Sequence, residues 1–413
     1  MSYILNQENT IERSNYLNQI KPFIDRPFVK IITGLRRSGK TEMLKLIAQE
    51  IKNNTLEAQI IYMNFEDMQW ENITSSKELN AYFKEKMTDE KRYYIFLDEI
   101  QLVKDWEKSV NALRLKNTDI YITGSNSKIM SDELATLLGG RTISFKMNTL
   151  SFLEFMQFRK VSGIYTNTID DELSAYIDIG GFPMLSVYPY SENDIRKIVS
   201  DINSTALLRD VVVRHQIRMP QLLDRIVAFL YDNVGNLVSI RSITNYLKST
   251  GRGTDPETVA NYIKYLEDAF IIKSAQRYDI KGKQLLETNN KYYLGDHALQ
   301  YAVRNKRPDK IQGILENIVY MDLVRRGYLV YVGKIDDKEV DFIAEEKDGT
   351  RRIYVQVCYL LSNKDTYDRE FAPLLSIKDN YHKYVVTLDK NWRADEMGVQ
   401  GIHLKDFLTK EQL

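Results

Sequence analysis

The sequence predicts an α/β fold built on a parallel β-sheet, and three observations support that prediction. A short apolar segment, residues 28–32, precedes a glycine-rich loop and then a segment with helical periodicity, residues 42–48. A second segment, residues 91–97, contains a continuous apolar run at residues 93–97, which is typical of a strand buried on both faces of a parallel sheet. Two further apolar segments, residues 59–65 and 119–126, end in polar side chains and fit the same sheet.

Composition limits the classes of protein that the chain can belong to. A length of 413 residues is too great for one core and predicts two to four domains. The formal net charge is +0, so a bulk electrostatic attraction to nucleic acid is not expected, although a local basic patch stays open. The single cysteine and four histidines give no support to disulfides or a zinc site. A polar N-terminus without an apolar run of about 20 residues predicts a cytoplasmic protein with no membrane association.

The glycine-rich loop has the pattern G-x-x-x-x-G-K-T and lies between a predicted strand and a predicted helix. Glycines allow backbone N–H groups to surround phosphates, and the following helix N-terminus adds partial positive charge. Lys40 can reach the β- and γ-phosphates of ATP, and the Thr41 hydroxyl can hold Mg²⁺. The alternative is a strand–helix turn without a ligand. The residues predicted to bind nucleotide here are Gly34, Arg37, Ser38, Gly39, Lys40, Thr41 and Glu42.

The segment at residues 91–97 leads into two acidic residues, Asp98 and Glu99. Asp98 is predicted to bind Mg²⁺, and Glu99 to polarise the attacking water. Polar side chains also end the other two strands, at Asn64, Ser125 and Asn126. Because ligands bind at the carboxyl ends of such strands, these three side chains can orient the water or sense the γ-phosphate. The alternative for each of them is a turn-forming role.

Several of these motifs occur together in one known family. The loop G-L-R-R-S-G-K-T, the strand end L-D-E-I-Q, the segment I-T-G-S-N and the turn G-G-R-T follow in that order. In this the chain resembles predicted archaeal and bacterial AAA+ ATPases that carry a winged helix and a C-terminal nuclease-like domain. The segments L-S-F-L-E-F, G-G-F-P and L-R-D-V are similar to the same group. The resemblance covers essentially the whole chain.

The resemblance implies roles for particular residues. Asn64 looks like the strand-end residue that restrains the catalytic glutamate, and Ser125 or Asn126 looks like a sensor of the γ-phosphate. Arg141 lies where AAA+ proteins place an arginine finger, with a surface salt bridge as the alternative. Pro183 ends a motif that is similar to one packed near the adenine, and a plain helix–helix turn is the alternative.

Four domains are predicted from changes of pattern. They are a nucleotide-binding domain at residues 1–148, a helical lid at 149–215, a winged helix at 216–303 and a PD-(D/E)xK nuclease-like domain at 308–413. In a winged helix the second helix can read the major groove of double-stranded DNA. The residues predicted around that helix and its wing are Arg252, Asn261, Lys264, Tyr265, Lys281 and Lys283. Acidic neighbours dilute this basic face, so a protein-packing role stays equally open.

The C-terminal segment resembles a nuclease site that has lost part of its machinery. The resemblance places metal-binding carboxylates at Glu316 and Asp341 and a third position at Gln356. Cys358 stands where such nucleases carry lysine, and a thiol cannot supply a fixed positive charge. Lys364, nearby in the sequence, is a candidate substitute. The sequence therefore favours a degenerate nuclease fold that serves binding or assembly.

Three functions are compatible with these observations. The first is an ATPase whose hydrolysis of Mg-ATP drives a conformational change acting on DNA or a protein partner. The second is a nucleotide-gated switch with little turnover, and the third is an ATP-coupled nuclease of a defence or mobile-element system. Glu99 favours hydrolysis, whereas Cys358 argues against the nuclease. A homo-oligomer is required if Arg141 acts on a neighbouring subunit.

Overall fold

The computed structural model describes residues 11–55, 57–130, 137–251, 253–303, 310–361, 364–389 and 395–413. The chain forms two compact units. The first comprises Met1–Asn148 with Asp268–Phe270, and the second comprises Thr149–Glu267 with Ile271–Leu413. Arg252, one of the basic residues predicted beside the second helix of the winged helix, lies outside the described residues.

The first unit is built on a parallel sheet. Its described strands are β1 (Val29–Thr33), β2 (Gln59–Asn64), β3 (Tyr93–Asp98), β4 (Thr118–Gly124) and β5 (Thr142–Lys146). They lie in the order β2-β3-β4-β1-β5, and every neighbouring pair is parallel. The predicted α/β fold class is confirmed. Because the strands share one direction, their carboxyl ends lie along a single edge of the sheet.

Helices cover both faces of this sheet. The described ones are α1 (Ser14–Ile20), α2 (Lys40–Asn54), α3 (Ser76–Lys86) and α4 (Trp106–Arg114). Strand β3 shows how the sequence produces two cores, since alternate side chains point to opposite faces. Ile95 and Leu97 join one apolar cluster with residues of α3 and α4. Tyr94 and Phe96 join the other with residues of α1 and α2.

The second unit begins with helices. They are α5 (Phe152–Val161), α6 (Ile169–Ile179) and α7 (Glu192–Thr205), followed by a π-helix at Ala206–Val213. Ser151 caps α5, because its hydroxyl accepts a hydrogen bond from the Glu154 N–H and Glu154 bonds back to the Ser151 N–H.

The rest of the second unit combines helices with a mixed sheet. Its helices are α8 (Pro220–Asp232), α9 (Ile240–Ser249), α10 (Pro256–Asp268), α11 (Gln300–Val303), α12 (Ile311–Arg325), α13 (Lys364–Leu375) and α14 (Leu404–Thr409). Asp255 caps α10 through a 2.7 Å hydrogen bond from the Thr258 N–H, and Pro256 is the first residue of that helix. None of the helices in the described parts of the chain has the length and apolar character needed to cross a membrane.

Nine described strands form one sheet in this unit. They are β6 (Leu237–Val238), β7 (Ile272–Asp279), β8 (Gln284–Leu294), β9 (Leu329–Ile335), β10 (Lys338–Glu345), β11 (Arg352–Cys358), β12 (His382–Thr387), β13 (Asp395–Glu396) and β14 (Val399–His403). Their order is β13-β14-β12-β11-β10-β9-β7-β8-β6. Strand β7 runs parallel to β9, so the segments predicted as winged helix and nuclease-like domain contribute to one continuous sheet. Strands β10 and β11 are antiparallel, and the turn between them contains Asp348 and Gly349.

Candidate functional site

The glycine-rich loop leaves β1 at the carboxyl edge of the first unit's sheet. Gly34 has φ 156°, and a Cβ at this position would lie 2.0 Å from the carbonyl oxygen of Met147. Arg37 and Gly39 adopt left-handed backbone conformations, with φ 66° and 97°. Helix α2 then begins at Lys40. Only a residue without a side chain fits at Gly34, so the loop has the close backbone packing of a phosphate cradle.

Three side chains of the loop converge at the start of α2. Lys40 is buried, and its Nζ donates to the carbonyl oxygens of Gly34 at 3.1 Å and Leu35 at 3.2 Å. The Ser38 hydroxyl is also buried, and it makes no hydrogen bond with any described residue. Thr41 is half-buried in the first turn of the helix. A hydroxyl and an ammonium group are therefore held at a helix N-terminus, where an anion is favoured.

Two predicted loop residues lie farther out. Arg37 is exposed, and Glu42 forms a 2.8 Å ion pair with Lys45 on the same face of α2. Arg36, to which the sequence assigned no step, contacts Glu66 at 3.0 Å.

Arg13 anchors the glycine-rich loop through its side chain, and the sequence did not predict this role. Its side chain is buried, and Nη1 donates to the carbonyl oxygens of Ser38 at 3.0 Å and Asn148 at 2.9 Å. The Asn148 N–H in turn donates to the Tyr16 hydroxyl. Arg13 thus joins the loop to the segment after β5. No sequence pattern marks this residue, because its two acceptors are backbone groups far away in the chain.

Asp98 ends β3 with both carboxylate oxygens held by hydroxyl groups. The Tyr62 hydroxyl donates to Oδ2 at 3.1 Å, and the Thr123 hydroxyl donates to Oδ1. The same Thr123 oxygen accepts the Glu99 N–H at 3.0 Å. Tyr62 and Thr123 lie on the neighbouring strands β2 and β4. They therefore fix the orientation of the carboxylate and of the residue after it.

Glu99 has a left-handed backbone conformation, with φ 54°, that turns its side chain toward the loop. Its Oε1 lies 3.9 Å from Lys40 Nζ, and the Gln101 side-chain amide donates to its Oε2. Burial raises the pKa of the Glu99 carboxyl above its ordinary value, and the Lys40 ammonium opposes this only in part. The structure therefore brings together the lysine and the acid that were predicted as partners in catalysis.

The polar residues at the other strand ends differ in their contacts. Ser125 and Asn126 follow β4 and are fully buried. Asn64 Oδ1 accepts the Glu66 N–H at 3.0 Å, which is a local turn contact. In this structure Gln101 contacts Glu99, and the restraint on Glu99 by Asn64 stays a prediction.

The edge of the sheet fits a magnesium–nucleotide complex. The loop provides backbone packing at Gly34 that is too close for a Cβ, an unpaired buried hydroxyl at Ser38 and a buried ammonium at Lys40. Thr41 and Asp98 supply the oxygen ligands that Mg²⁺ prefers. These features come from different elements, so they support a built site rather than a chance turn.

Comparisons with known proteins agree with this geometry. Residues 26–156 match a family model described as an AAA domain, and residues 170–310 match one described as a domain of unknown function. An uncharacterized protein of Haemophilus influenzae is 38% identical over 403 residues, which cover 97% of this chain and 99% of that protein. The uncharacterized protein MJ1544 of Methanocaldococcus jannaschii is 34% identical over 364 residues, covering 85% of this chain and 79% of that protein. The chain belongs to their family.

A solved structure shows the same fold. The Walker-type ATPase PABY2304 of Pyrococcus abyssi aligns with a TM-score of 0.50 and 16% sequence identity, covering 73% of this chain and 98% of that chain. Together with the AAA-domain match, this likeness assigns the first unit's parallel sheet to the P-loop ATPase fold.

Within the AAA domain, Arg141 lies at the opposite edge of the sheet from the loop. It is exposed, and its carbonyl oxygen accepts the Val29 N–H at the start of β1. Gly34 follows the other end of β1, about 15 Å away at the usual rise of a strand. The backbone of Arg141 therefore lies at the end of β1 that is remote from the phosphate cradle of the same chain.

Pro183 belongs to the second unit, where it starts a short 3₁₀-helix, Pro183–Leu185. The preceding glycines pack closely within that unit. Gly180 has φ 85°, and a Cβ there would lie 2.4 Å from Asp296 Oδ1. The Gly181 N–H donates to Asp296 Oδ2 at 2.9 Å. The two glycines of this motif thus pack tightly against Asp296. The contact of Pro183 with adenine stays a prediction.

The residues predicted for the nuclease-like site also lie in the second unit, and Glu316, Asp341, Gln356 and Cys358 are buried. Glu316 and Asp341 both contact the ammonium of Lys291, a residue the sequence did not single out. Gln356 accepts the Asp341 N–H and donates to Glu370. Cys358 donates its thiol proton to the Leu360 carbonyl oxygen, and burial raises its pKa to about 12. Lys364 begins α13, but its side chain is outside the described ones.

The surface predicted to read DNA is only partly available. Asn261 and Lys264 are exposed on α10. Tyr265 stacks on His215 with ring centroids 3.7 Å apart. Lys281 in the wing forms an exposed ion pair with Asp336 at 2.6 Å. The local positive charge is therefore smaller than the sequence alone suggested.

Proposed function

We propose that this protein is an AAA+ ATPase that couples hydrolysis of Mg-ATP to a conformational change acting on DNA or on a protein partner. The observation that carries the proposal is the convergence of Lys40 and Glu99, 3.9 Å apart, at the mouth of the glycine-rich loop. A passive phosphate-binding loop needs the lysine but has no use for a buried acid beside it.

The residues at the carboxyl edge of the first unit's sheet have different roles in the proposed reaction. Lys40 exchanges its bonds to the loop carbonyls for oxygens of the β- and γ-phosphates, and Ser38 donates to a phosphate oxygen. Thr41 and Asp98 would hold Mg²⁺, which neutralises charge on the phosphates when bound. Glu99 orients the attacking water and accepts its proton. Its raised pKa improves it as a proton acceptor, as long as it is ionised at the working pH.

Arg141 acts on the site of a neighbouring subunit in this proposal. Its position at the far edge of the sheet supports action in trans, since its own loop begins at the other end of β1. The functional form is then a homo-oligomer in which each site takes one arginine from the next subunit.

A nucleotide-gated switch is the second candidate function. Lys40 is bound to the loop carbonyls, so it must leave these partners before it can contact the phosphates. A chain that needs a partner to release Lys40 would bind ATP and turn it over slowly. The exposed Asn261 and Lys264 of α10 suit duplex DNA as that partner.

Steady-state ATP turnover tests the proposal. Lys40→Ala is expected to abolish turnover, and Lys52→Ala, an exposed position on the same helix, is the matched control and should leave turnover unchanged. Addition of duplex DNA should stimulate the wild type if DNA is the partner. Equal turnover by wild type and Lys40→Ala would contradict the proposal, and a wild type that binds ATP without turnover would favour the switch.

A further inference from the structure

A buried lysine lies among three carboxylates in the second unit. Lys291 on β8 is 2% exposed. Its Nζ lies 3.2 Å from Glu316 Oε2, 3.0 Å from Asp341 Oδ1 and 2.8 Å from Glu339 Oε1. Glu316 and Asp341 are each 5% exposed, whereas Glu339 is half-buried. An ammonium group has three protons, so each carboxylate can receive one.

The two buried carboxylates are completed by other donors of the same unit. The Tyr293 hydroxyl donates to Glu316 Oε2 at 3.1 Å, and the Gln312 side-chain amide donates to Glu316 Oε1 at 3.2 Å. The Val357 N–H donates to Asp341 Oδ2 at 2.9 Å. Each oxygen of the pair therefore has a donor from the chain.

When two carboxylates meet in the interior, a cation between them stabilises their ionised forms. Mg²⁺ and Mn²⁺ are one class of cation that such oxygens bind, and an ammonium is another. Burial alone would lower the pKa of Lys291, but Asp341 and Glu316 raise it well above its ordinary value, so the ammonium stays charged. Burial and the neighbouring Asp341 raise the pKa of Glu316 above its ordinary value, and the Lys291 ammonium opposes this.

Access to the cluster is closed on the side of Gly235. This residue has φ 79°, and a Cβ there would lie 2.8 Å from Glu316 Oε2. In the described residues, no three side chains of His, Cys, Asp or Glu are arranged to hold a metal ion. A phosphodiester has no open path to the carboxylates on this side.

We propose that Lys291 is an internal counter-ion that occupies the cation position between Glu316 and Asp341, so that a divalent metal binds there only when this side chain is removed. The inference is independent of the proposed ATPase, because the cluster lies wholly in the second unit. Lys291 supplies a positive charge that the Cys358 position lacks, and this charge stabilises the fold and takes no part in a reaction. The second unit then holds together without metal and does not cleave DNA.

Binding of Mn²⁺ to the nucleotide-free full-length chain, followed by electron paramagnetic resonance, tests the proposal. Lys291→Ala should take up one more Mn²⁺ per chain than the wild type. The matched control, Lys291→Ala with Asp341→Asn, should lose that added site. A wild type that binds the same Mn²⁺ as Lys291→Ala, in a manner abolished by Asp341→Asn alone, would overturn the proposal.

Thermal unfolding keeps the test decisive if Lys291→Ala folds poorly. Lys291→Ala combined with Glu316→Gln removes one negative charge along with the ammonium and should recover part of the lost unfolding temperature. The wild type should unfold at the same temperature in Mn²⁺ and in EDTA, whereas Mn²⁺ should raise the unfolding temperature of Lys291→Ala. Manganese-dependent nicking of plasmid DNA by the wild type that Lys291→Ala abolishes would show a catalytic lysine and refute the counter-ion.

Discussion

Gln101 and Glu99 lie two residues apart, and their side chains share a hydrogen bond at the mouth of the loop. The Gln101 Oε1 atom is buried and makes no hydrogen bond with a described residue. A Cβ at Gly124 would lie 2.7 Å from that oxygen, so strand β4 holds the amide in place. Gln101 is therefore a positioning residue for the acid in the proposed reaction.

Replacement of Gln101 should affect the chemical step more than ATP binding. In Gln101→Leu the volume is kept but the donor is lost, so Glu99 is free to leave its orientation. We expect kcat to fall about 10- to 100-fold with little change in KM for ATP, because a small misplacement of a reacting group is costly. Gln69→Leu, an exposed position in the same unit, is the control in steady-state assays. An unchanged kcat in Gln101→Leu would remove Gln101 from the mechanism.

At the scale of single residues, the sequence predicted those residues whose role follows from the spacing within a short motif. Lys40, Thr41, Asp98 and Glu99 are fixed by motifs that span a few residues, and the structure brings them to one edge. The partners of Asp98 could not be predicted, because they depend on which residues of β2 and β4 lie opposite it. Lys291 was missed for the same reason, since its carboxylate partners are 25 and 50 residues away in the chain.

At the scale of elements, the glycine-rich loop depends on close backbone packing. Gly34→Ala would place a methyl group 2.0 Å from the Met147 carbonyl oxygen. We expect the first unit to lose about 2 to 4 kcal/mol of unfolding free energy, from overpacking and backbone strain together. ATP binding should also be lost, because the cradle must open to relieve the clash.

Gly139→Ala is the matched control for that change. Gly139 also has a positive φ, 62°, but a Cβ there would meet nothing within 4 Å. Strain alone should cost about 1 kcal/mol and leave ATP binding unaffected. Chemical denaturation and equilibrium binding of ATP measure both quantities. Equal losses in the two variants would show that the contact with Met147 is unimportant.

Secondary-structure elements could be predicted where the pattern of apolar residues is compatible with one type of element. Strands β1 to β4 lie within two residues of the predicted segments, because their apolar runs are too short for buried helices. The π-helix Ala206–Val213 was not predicted, since the shift in its hydrogen bonds leaves no mark in the apolar periodicity. The joining of β7 to β9 was missed because pairing between distant strands is not encoded locally.

At the scale of the whole molecule, the position of Arg141 predicts activity shared between subunits. Arg141→Ala and Lys40→Ala should each be inactive alone. Mixed in equal amounts they should regain about a quarter of wild-type turnover, because an intact loop then meets an intact arginine in that share of random pairings. Mixing of Arg141→Ala with wild type serves as the control for subunit exchange.

The outcome of mixing separates the two arrangements of the arginine. A mixture that stays inactive while subunits exchange would contradict action in trans. Full turnover by Arg141→Ala alone would mean that this residue serves a surface salt bridge instead, as the sequence left open.

The central claim is that this edge of the sheet hydrolyses ATP rather than merely holding it. The most direct measurement is the nucleotide retained by the protein after incubation with Mg-ATP and rapid desalting. Glu99→Gln should retain close to one unhydrolysed ATP per chain, wild type should retain ADP or nothing, and Lys40→Ala should retain nothing. If wild type and Glu99→Gln both retain intact ATP to the same extent, the chain is a gated switch, and if neither retains nor turns over nucleotide, the assignment of the site is wrong.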